Sequence, residues 1–345
     1  MIPSSLVAVG PGPTIGQDCT SSVPMNRRRF LTVAGATAAA LAVRPRSKCP
    51  PAGTGQLPYG GVATHLWYFN TQYGDTRRVA EHLRRLETRV AGDEWLLPEA
   101  EPAYRRRFLE ALELLHAVAG TTFVMVTGRA TAPIDPLLDE MEPYAQLLAG
   151  IEGPNEWNLS GRSRWKEELS SYTKDLYTKV RDRPAFDGIP VVGPSIGFPK
   201  SSGPLFGDHS AFMDVGNFHF YQPATQLDLR YYRASLVGAR AVSATKPMVA
   251  TEANGIIGAG LPGTRSYECL TDLFGDDGIR RAFCYQLFDF SRPSRPLTDR
   301  ENNFGCFRPD YSAKPLAASV RETNRRNTST RLLGEGTSCQ PDVQR

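Results

Sequence analysis

Between residues 60 and 322, short apolar runs alternate with amphipathic stretches of helical period, and the pair recurs eight times. The runs predicted as strands are Val62 to Phe69, Thr88 to Ala91, Thr121 to Val126, Ala149 to Gly153, Ile189 to Gly193, Val215 to Tyr221, Pro247 to Thr251 and Ala282 to Phe288. Helical material follows each: Thr76 to Leu86, Pro102 to Ala119, one or two turns within Ile134 to Leu148, Ser163 to Arg181, a turn at Ser210 to Met213, Leu227 to Val242, Tyr267 to Phe274 and Lys314 to Glu322. In the first helix Val79, Leu83 and Leu86 fall on one side, and Asp75 is placed to cap it. The clearest helix carries Phe108, Leu109, Leu112, Leu115 and Val118 on one face. Strands that each lead into a helix pair in parallel. Eight such units in roughly 280 residues argue for closure, since a barrel of this kind commonly uses about 250. The expected fold is α/β, a single-domain (β/α)8 or TIM barrel. A doubly wound open sheet is the competing arrangement, but the first strand lacks a Gly-rich turn and no GxGxxG or GK[ST] motif occurs.

The 345 residues are 41% hydrophobic and 22% charged, enough to bury a large core. A net charge of +4 is small for this length, and Arg105 to Arg107 and Arg325 to Arg326 read as solvated helix faces. A basic stripe with aromatic platforms is missing, so nucleic acid is not an expected partner. One basic cluster differs. Arg27, Arg28 and Arg29 lead into an uncharged apolar stretch from Phe30 to Ala42. That layout is a signal peptide's, and it resembles the twin-arginine export signal. The stretch falls short of the ~20 apolar residues that span a bilayer, so no stable membrane anchor is expected. Small residues at Ala40 and Ala42 place cleavage after Ala42, and Met25 fits the true start better than Met1. The expected organisation is an extension and export segment over 1–48, a catalytic barrel over 50–325 and a tail over 326–345. The Tat translocon would be the partner in export, and the mature chain would lie outside the cytoplasm.

Such a compartment favours disulfides. Cys49 and Cys339 stand near the ends of the mature chain and suit one bridge, Cys269 and Cys306 suit another, and Cys284, inside an apolar run, reads as a buried thiol. No Cys/His spacing indicates zinc, and His65, His82, His116, His209 and His219 form no HxH or HExxH pattern. Neither a metal nor an organic cofactor is expected.

Active residues of such barrels gather at the C-terminal ends of the strands. There the fourth predicted strand presents Asn155, Glu156, Trp157 and Asn158; the sixth, His219 and Tyr221; the seventh, Glu252 and Asn254. Two carboxylates placed immediately after apolar strands, three strands apart, do not read as a solvated charge pattern. This set resembles the clan A glycoside hydrolases, the retaining group that includes families 5 and 39. The clan's mark is Asn-Glu ending strand 4, with Glu as acid/base, and a nucleophilic Glu ending strand 7. Asn155-Glu156 and Glu252 occupy those places, while His219 and Tyr221 match the strand-6 pair and the segment 301–320 resembles the clan's closing segment.

The resemblance implies that Glu156 protonates the leaving oxygen, that Glu252 attacks the anomeric carbon and that Tyr221 hydrogen-bonds the nucleophile. It gives Arg89 the place of a strand-2 arginine aimed at the nucleophile, and Asn155 a contact to a sugar 2-hydroxyl. Trp157, Trp67, Tyr68 and Trp95 offer aromatic faces for a sugar, although Trp67 and Trp95 read equally as core. Asp93 and Glu94 read as loop surface. On the eighth strand the sequence CYQLFDF carries Gln286, Phe288 and Asp289 but no Trp, where many members floor the first sugar subsite with one; Gln286 is counted with the substrate contacts. The expected activity is retaining hydrolysis of a β-type glycosidic bond in an exported poly- or oligosaccharide-degrading enzyme. A silent carbohydrate-binding barrel and a transglycosylase are the alternatives.

Overall fold

The computed structural model describes residues 59–96, 99–221, 227–254, 263–290, 303–325 and 331–333. All of them lie in one compact unit, Cys49–Arg345. The expected export segment, its cleavage point at Ala42, Cys49, Cys339 and the loop 291–302 fall outside the described residues.

Eight parallel strands alternate with helices: β1 (Tyr59–Ala63), α1 (Thr76–Arg85), β2 (Val90–Glu94), α2 (Pro102–Ala119), β3 (Thr122–Val126), α3 (Ile134–Met141), β4 (Leu148–Glu152), α4 (Trp165–Arg181), β5 (Val191–Val192), α5 (Pro199–Phe206), β6 (Gly216–Tyr221), α6 (Leu229–Ser243), β7 (Met248–Asn254), α7 (Gly263–Asp276), β8 (Ile279–Cys284) and α8 (Pro315–Arg325). The sheet runs β5-β4-β3-β2-β1-β8-β7-β6. Its two ends meet at a parallel bridge between Val192 and Val215, where the Gly193 amide donates to the Val215 carbonyl at 2.8 Å. The chain is a single-domain (β/α)8 barrel, as expected.

Local chemistry sets the elements. Asp75 caps α1 by accepting from the Arg78 amide, and Val79, Ala80 and Leu83 turn inward. Pro102 opens α2, where a missing N–H costs nothing, and Gly120 closes it in the left-handed conformation. The buried face of α2 is Phe108, Ala111, Leu112, Leu115 and Ala119; Val118, expected on it, is exposed.

Several boundaries differ from expectation. β1 lies earlier than predicted, so Leu66 to Phe69 form the loop beyond it, and β2 lies about three residues later. α5 was not expected, because Ser201, Ser202, Gly203 and Pro204 are poor helix formers and tertiary packing holds them.

The lumen is filled at one end by Val90, Val124, Ala149, Val192, Val215, Val249 and Phe283, joined by Leu332 and Leu333 from the C-terminal segment. The buried guanidinium of Arg281 donates to the carbonyls of Gly60, Arg331 and Leu332, fastening that segment beneath the barrel. The opposite end is left for chemistry.

Of the cysteines, Cys284 is a buried free thiol as expected. The pairing of Cys269 with Cys306 is overturned: Cys306 is also free, its sulfur turned inward to 3.9 Å from that of Cys284, and Cys269 is not a free thiol. No helix among the described residues is long and apolar enough to cross a membrane.

Candidate active site

Glu252 lies within β7 and is the register partner of His219 on β6. Period-2 alternation along β6 therefore turns His219 and Tyr221 to the same side, toward that carboxylate. The Tyr221 phenol donates to Glu252 Oε2. His219 Nδ1 lies 3.0 Å from Glu156 Oε1 and 3.7 Å from Glu252 Oε2. Two oxygens that share one ring nitrogen cannot lie farther apart than the sum of those distances. That limit excludes all but the lower edge of the ~6.5–9.5 Å separations that leave room for a water between two carboxyl groups.

Glu156 reaches this position through a left-handed backbone (φ 40°, ψ 42°), unusual for a residue with a Cβ. Strain of this kind, on the order of 1 kcal/mol, is held by the surroundings. The buried hydroxyl of Ser195 accepts the Glu156 amide at 3.0 Å and donates to Asn155 Oδ1 at 3.1 Å. Asn158 anchors the next turn, donating to the Gly197 carbonyl and accepting the Gly197 amide. A Cβ on Gly197 would stand 2.5 Å from Leu159 and 3.2 Å from the Glu156 carboxyl carbon. A side chain there would displace Leu159 and crowd the carboxyl.

The electrostatics are dominated by carboxylates around one imidazole. Burial by itself would lower the His219 pKa, but Glu252, Glu156 and Glu152 outweigh it and lift the ring to about 9. Burial pushes Glu252 above the usual carboxylate range; His219 and the Tyr221 phenol oppose that shift, and Glu156 adds to it. Neither glutamate side chain is sealed, at 24% and 21% exposure, so a substrate can reach both. Among the described residues no group of three or more His, Cys, Asp and Glu side chains is arranged to hold a metal ion.

The structure therefore brings together Asn155, Glu156, His219, Tyr221 and Glu252. Asn155 is exposed at the rim. Trp157 is half-buried beside it, its indole donating to Glu168 at 3.0 Å. Trp67 is half-buried in the loop after β1, its ring 4.1 Å from that of Tyr68. Gln286 is fully buried, accepting from the Tyr73 hydroxyl at 3.4 Å.

Arg89 does not join them. It precedes β2 at the opposite end of the barrel, where its carbonyl accepts the Thr122 amide. The later start of β2 removes it from the site. Trp95 is core, 1% exposed against Phe108 and Tyr144. Asp93, expected on a loop surface, is buried and accepts from the Thr64 hydroxyl at 2.6 Å and the amides of Leu66 and Glu94. Asn254 turns away from the cleft to the carbonyls of Tyr285 and Phe304.

Two residues of the site carried no distinctive sequence signal. Glu152 ends β4 as an acid among apolar neighbours and lies 3.9 Å from His219 Nε2. Tyr285, directly after β8, stands edge-on to Tyr221 at 5.9 Å and to His65 at 5.4 Å. Burial raises its phenol pKa, and Glu252 adds to the effect. An aromatic ring thus stands beside Glu252 on the eighth-strand side even though no Trp does.

No protein-family model matches the chain. A search of curated proteins returned no match. Solved structures do share the fold. An exo-β-1,4-mannosidase from Opitutaceae bacterium strain TAV5 aligns with a TM-score of 0.55 at 14% identity, over 80% of this chain and 60% of that one. A GH2 β-galacturonidase from Eisenbergiella tayi bound to galacturonate aligns at 0.53 and 11%, over 79% and 52%. A GH5_18 structure from Bifidobacterium longum subsp. infantis aligns at 0.53 and 13%, over 78% and 79%. The chain thus spans little more than half the length of the first two. All three are glycoside hydrolases by name, and at such identities the likeness is one of barrel fold.

Proposed function

We propose that the chain is a retaining glycoside hydrolase in which Glu156 is the acid/base and Glu252 the nucleophile. The observation that carries this reading is the single imidazole, His219, set between two partly exposed glutamates at the C-terminal ends of β4 and β7, one of them held by a phenol. Glu252 attacks the anomeric carbon as the glycosidic C–O bond breaks, and Glu156 passes its proton to the leaving oxygen. Water then attacks the glycosyl ester, giving a proton to Glu156 and releasing Glu252. In this reading Asn155 bonds a sugar hydroxyl from the rim, and Tyr68, Trp67, Trp157 and Tyr285 supply aromatic faces for the sugar's C–H side.

The substrate in this reading is a β-linked poly- or oligosaccharide, in keeping with the β-linked sugars named for the mannosidase and the galacturonidase. The arginine cluster Arg27 to Arg29 before an uncharged apolar run supports export by the Tat translocon, cleavage after Ala42 and action outside the cytoplasm.

The deciding experiment is hydrolysis of a panel of aryl glycosides and polysaccharides by wild type, Glu156→Ala and Glu252→Ala, with and without azide. The reading expects an inactive Glu252→Ala and azide rescue of both variants with opposite anomeric products. Full activity in Glu252→Ala on a cleaved substrate would overturn it. Amino-terminal sequencing of the secreted chain, with Arg27→Lys and Arg28→Lys as export-defective controls, tests the localisation.

A further inference from the structure

Glu152 lies beneath the cleft and is 1% exposed. Its Oε1 accepts from Asn217 Nδ2 at 2.8 Å and from the Thr251 hydroxyl at 3.2 Å, while Oε2 has no hydrogen-bond partner among the described residues. Burial pushes the Glu152 carboxyl up to about 7 and His219 opposes that shift, so a carboxylate with half its accepting capacity unused keeps its charge there only beside a cation. The nearby group is His219. The Thr251 hydroxyl lies 3.0 Å from His219 Nε2 and 2.8 Å from Asn217 Oδ1, so it links Glu152 to the ring. With its own proton given to Asn217 or Glu152, that hydroxyl can only accept from Nε2. Nε2–H is thereby committed to Thr251, and in the protonated ring that the three surrounding carboxylates favour, the second hydrogen sits on Nδ1, facing Glu156 and Glu252.

We propose that Glu152 is a positioning residue of this active site: acting through Thr251, it holds a hydrogen on Nε2 of His219 and balances the ring's charge, so that Nδ1 serves Glu156 and Glu252 in turn. The inference rests on the glycosidase reading. In the first step of that reaction negative charge leaves Glu252 as the ester forms and appears on Glu156 as its proton departs; in the second step it returns. Nδ1 is within reach of both oxygens, so the same nitrogen can follow the charge with little movement. The ionisable groups facing His219 are Glu152 on β4, Glu156 on the loop after β4 and Glu252 on β7, with Tyr221 of its own strand reaching it through Glu252. Glu152 is the one of the three carboxylates that is fully buried, away from any sugar.

The test is Glu152→Gln, which keeps volume and an acceptor but removes the charge. The expected kcat loss is roughly ten- to a hundredfold, as for groups that orient another functional residue, with KM little changed. Removing a negative charge lowers the pKa of Glu252 and His219 alike, so the pH profile moves to lower pH. A profile superimposable on that of wild type, whatever the drop in kcat, would overturn the proposal, as would a change confined to KM. Titration of His219 by imidazole 15N resonance needs no substrate. Its midpoint is expected to fall in Glu152→Gln, and an unmoved midpoint refutes the coupling. Should Glu152→Gln not fold, Thr251→Val cuts the link at the hydroxyl; a lower His219 midpoint is again expected, and an unmoved midpoint counts against the role. A wild type that cleaves nothing would sink the glycosidase reading, while the titration still decides whether Glu152 sets the state of His219.

Discussion

The Tyr221 phenol and the Glu252 carboxylate meet across the β6–β7 pair, with the phenol donating to Oε2. A hydrogen bond to the charged form of a carboxylate favours that form. Tyr221→Phe removes the donor and leaves the ring, so the Glu252 pKa should rise and the acidic limb of the kcat/KM profile should move to higher pH. A loss of about tenfold to a hundredfold in kcat accompanies it, for a charge-assisted bond of about 1.5–3 kcal/mol. A pH series on the variant and wild type checks both. An unmoved acidic limb would mean that the phenol does not act on Glu252.

In the glycosidase reading Tyr285 contributes through its ring face. It stands between Tyr221 and His65, and Phe304 lies behind it at 6.1 Å. Tyr285→Phe should keep kcat/KM within a few fold, because the stacking surface survives. Tyr285→Ala should lose roughly a hundredfold, since a rigid aromatic anchor is typically worth about 2–4 kcal/mol. Equal losses in the two variants would assign the role to the hydroxyl instead.

The barrel was legible because each strand-helix unit has its own period, and the two glutamates were legible because each follows an apolar run. What escaped was whatever depends on a distant neighbour. β1 begins at Tyr59, ahead of the run predicted as the first strand; a Cβ on Gly60 would fall 1.8 Å from Asn324 Oδ1, so that glycine answers to α8 and not to its own strand. Arg89 failed as a site residue because β2 starts two residues later than predicted, which leaves the side chain before the strand at the far end of the barrel. Glu152 and Glu156 are four residues apart and chemically identical, yet one is sealed under His219 and the other opens to the cleft. No local pattern separates them. Only the left-handed turn at Glu156 does.

Asp93 makes stability depend on pH. Burial pushes its carboxyl up to about 7, against the pull of the Thr64, Leu66 and Glu94 hydrogen bonds. An unfolded chain releases that proton near pH ~3.9. Between roughly pH 4 and 7 the folded state binds more protons than the unfolded one, so this group's contribution to stability falls as pH rises through that window. Asp93→Asn removes the titration. The destabilisation it causes should therefore be larger at pH 5 than at pH 8, read as the difference in thermal midpoint between wild type and variant. A difference that does not change with pH would show that Asp93 titrates near its ordinary value.

Arg281 gives a prediction about stability alone. Its guanidinium, 1% exposed, donates to the carbonyls of Gly60, Arg331 and Leu332 under the barrel, at the end remote from Glu156 and Glu252. Burial lowers its pKa to about 9, so holding the charge there is costly, and the bonds it makes must offset that cost. Arg281→Met keeps an apolar stem but strands three carbonyls, each worth about 1–3 kcal/mol if left buried and unpaired. Partial access of water as the segment 331–333 loosens should bring the net loss to about 3 kcal/mol. Leu332→Ala empties part of the lumen and should cost about 2–3 kcal/mol by the cavity it leaves. Because both act on one contact, the double variant should lose less than the sum of the two. Urea titrations of the four proteins measure all three quantities, and kcat/KM should be unchanged throughout. Additive losses would mean that Arg281 and Leu332 stabilise the barrel independently and that the segment is not fastened by the guanidinium.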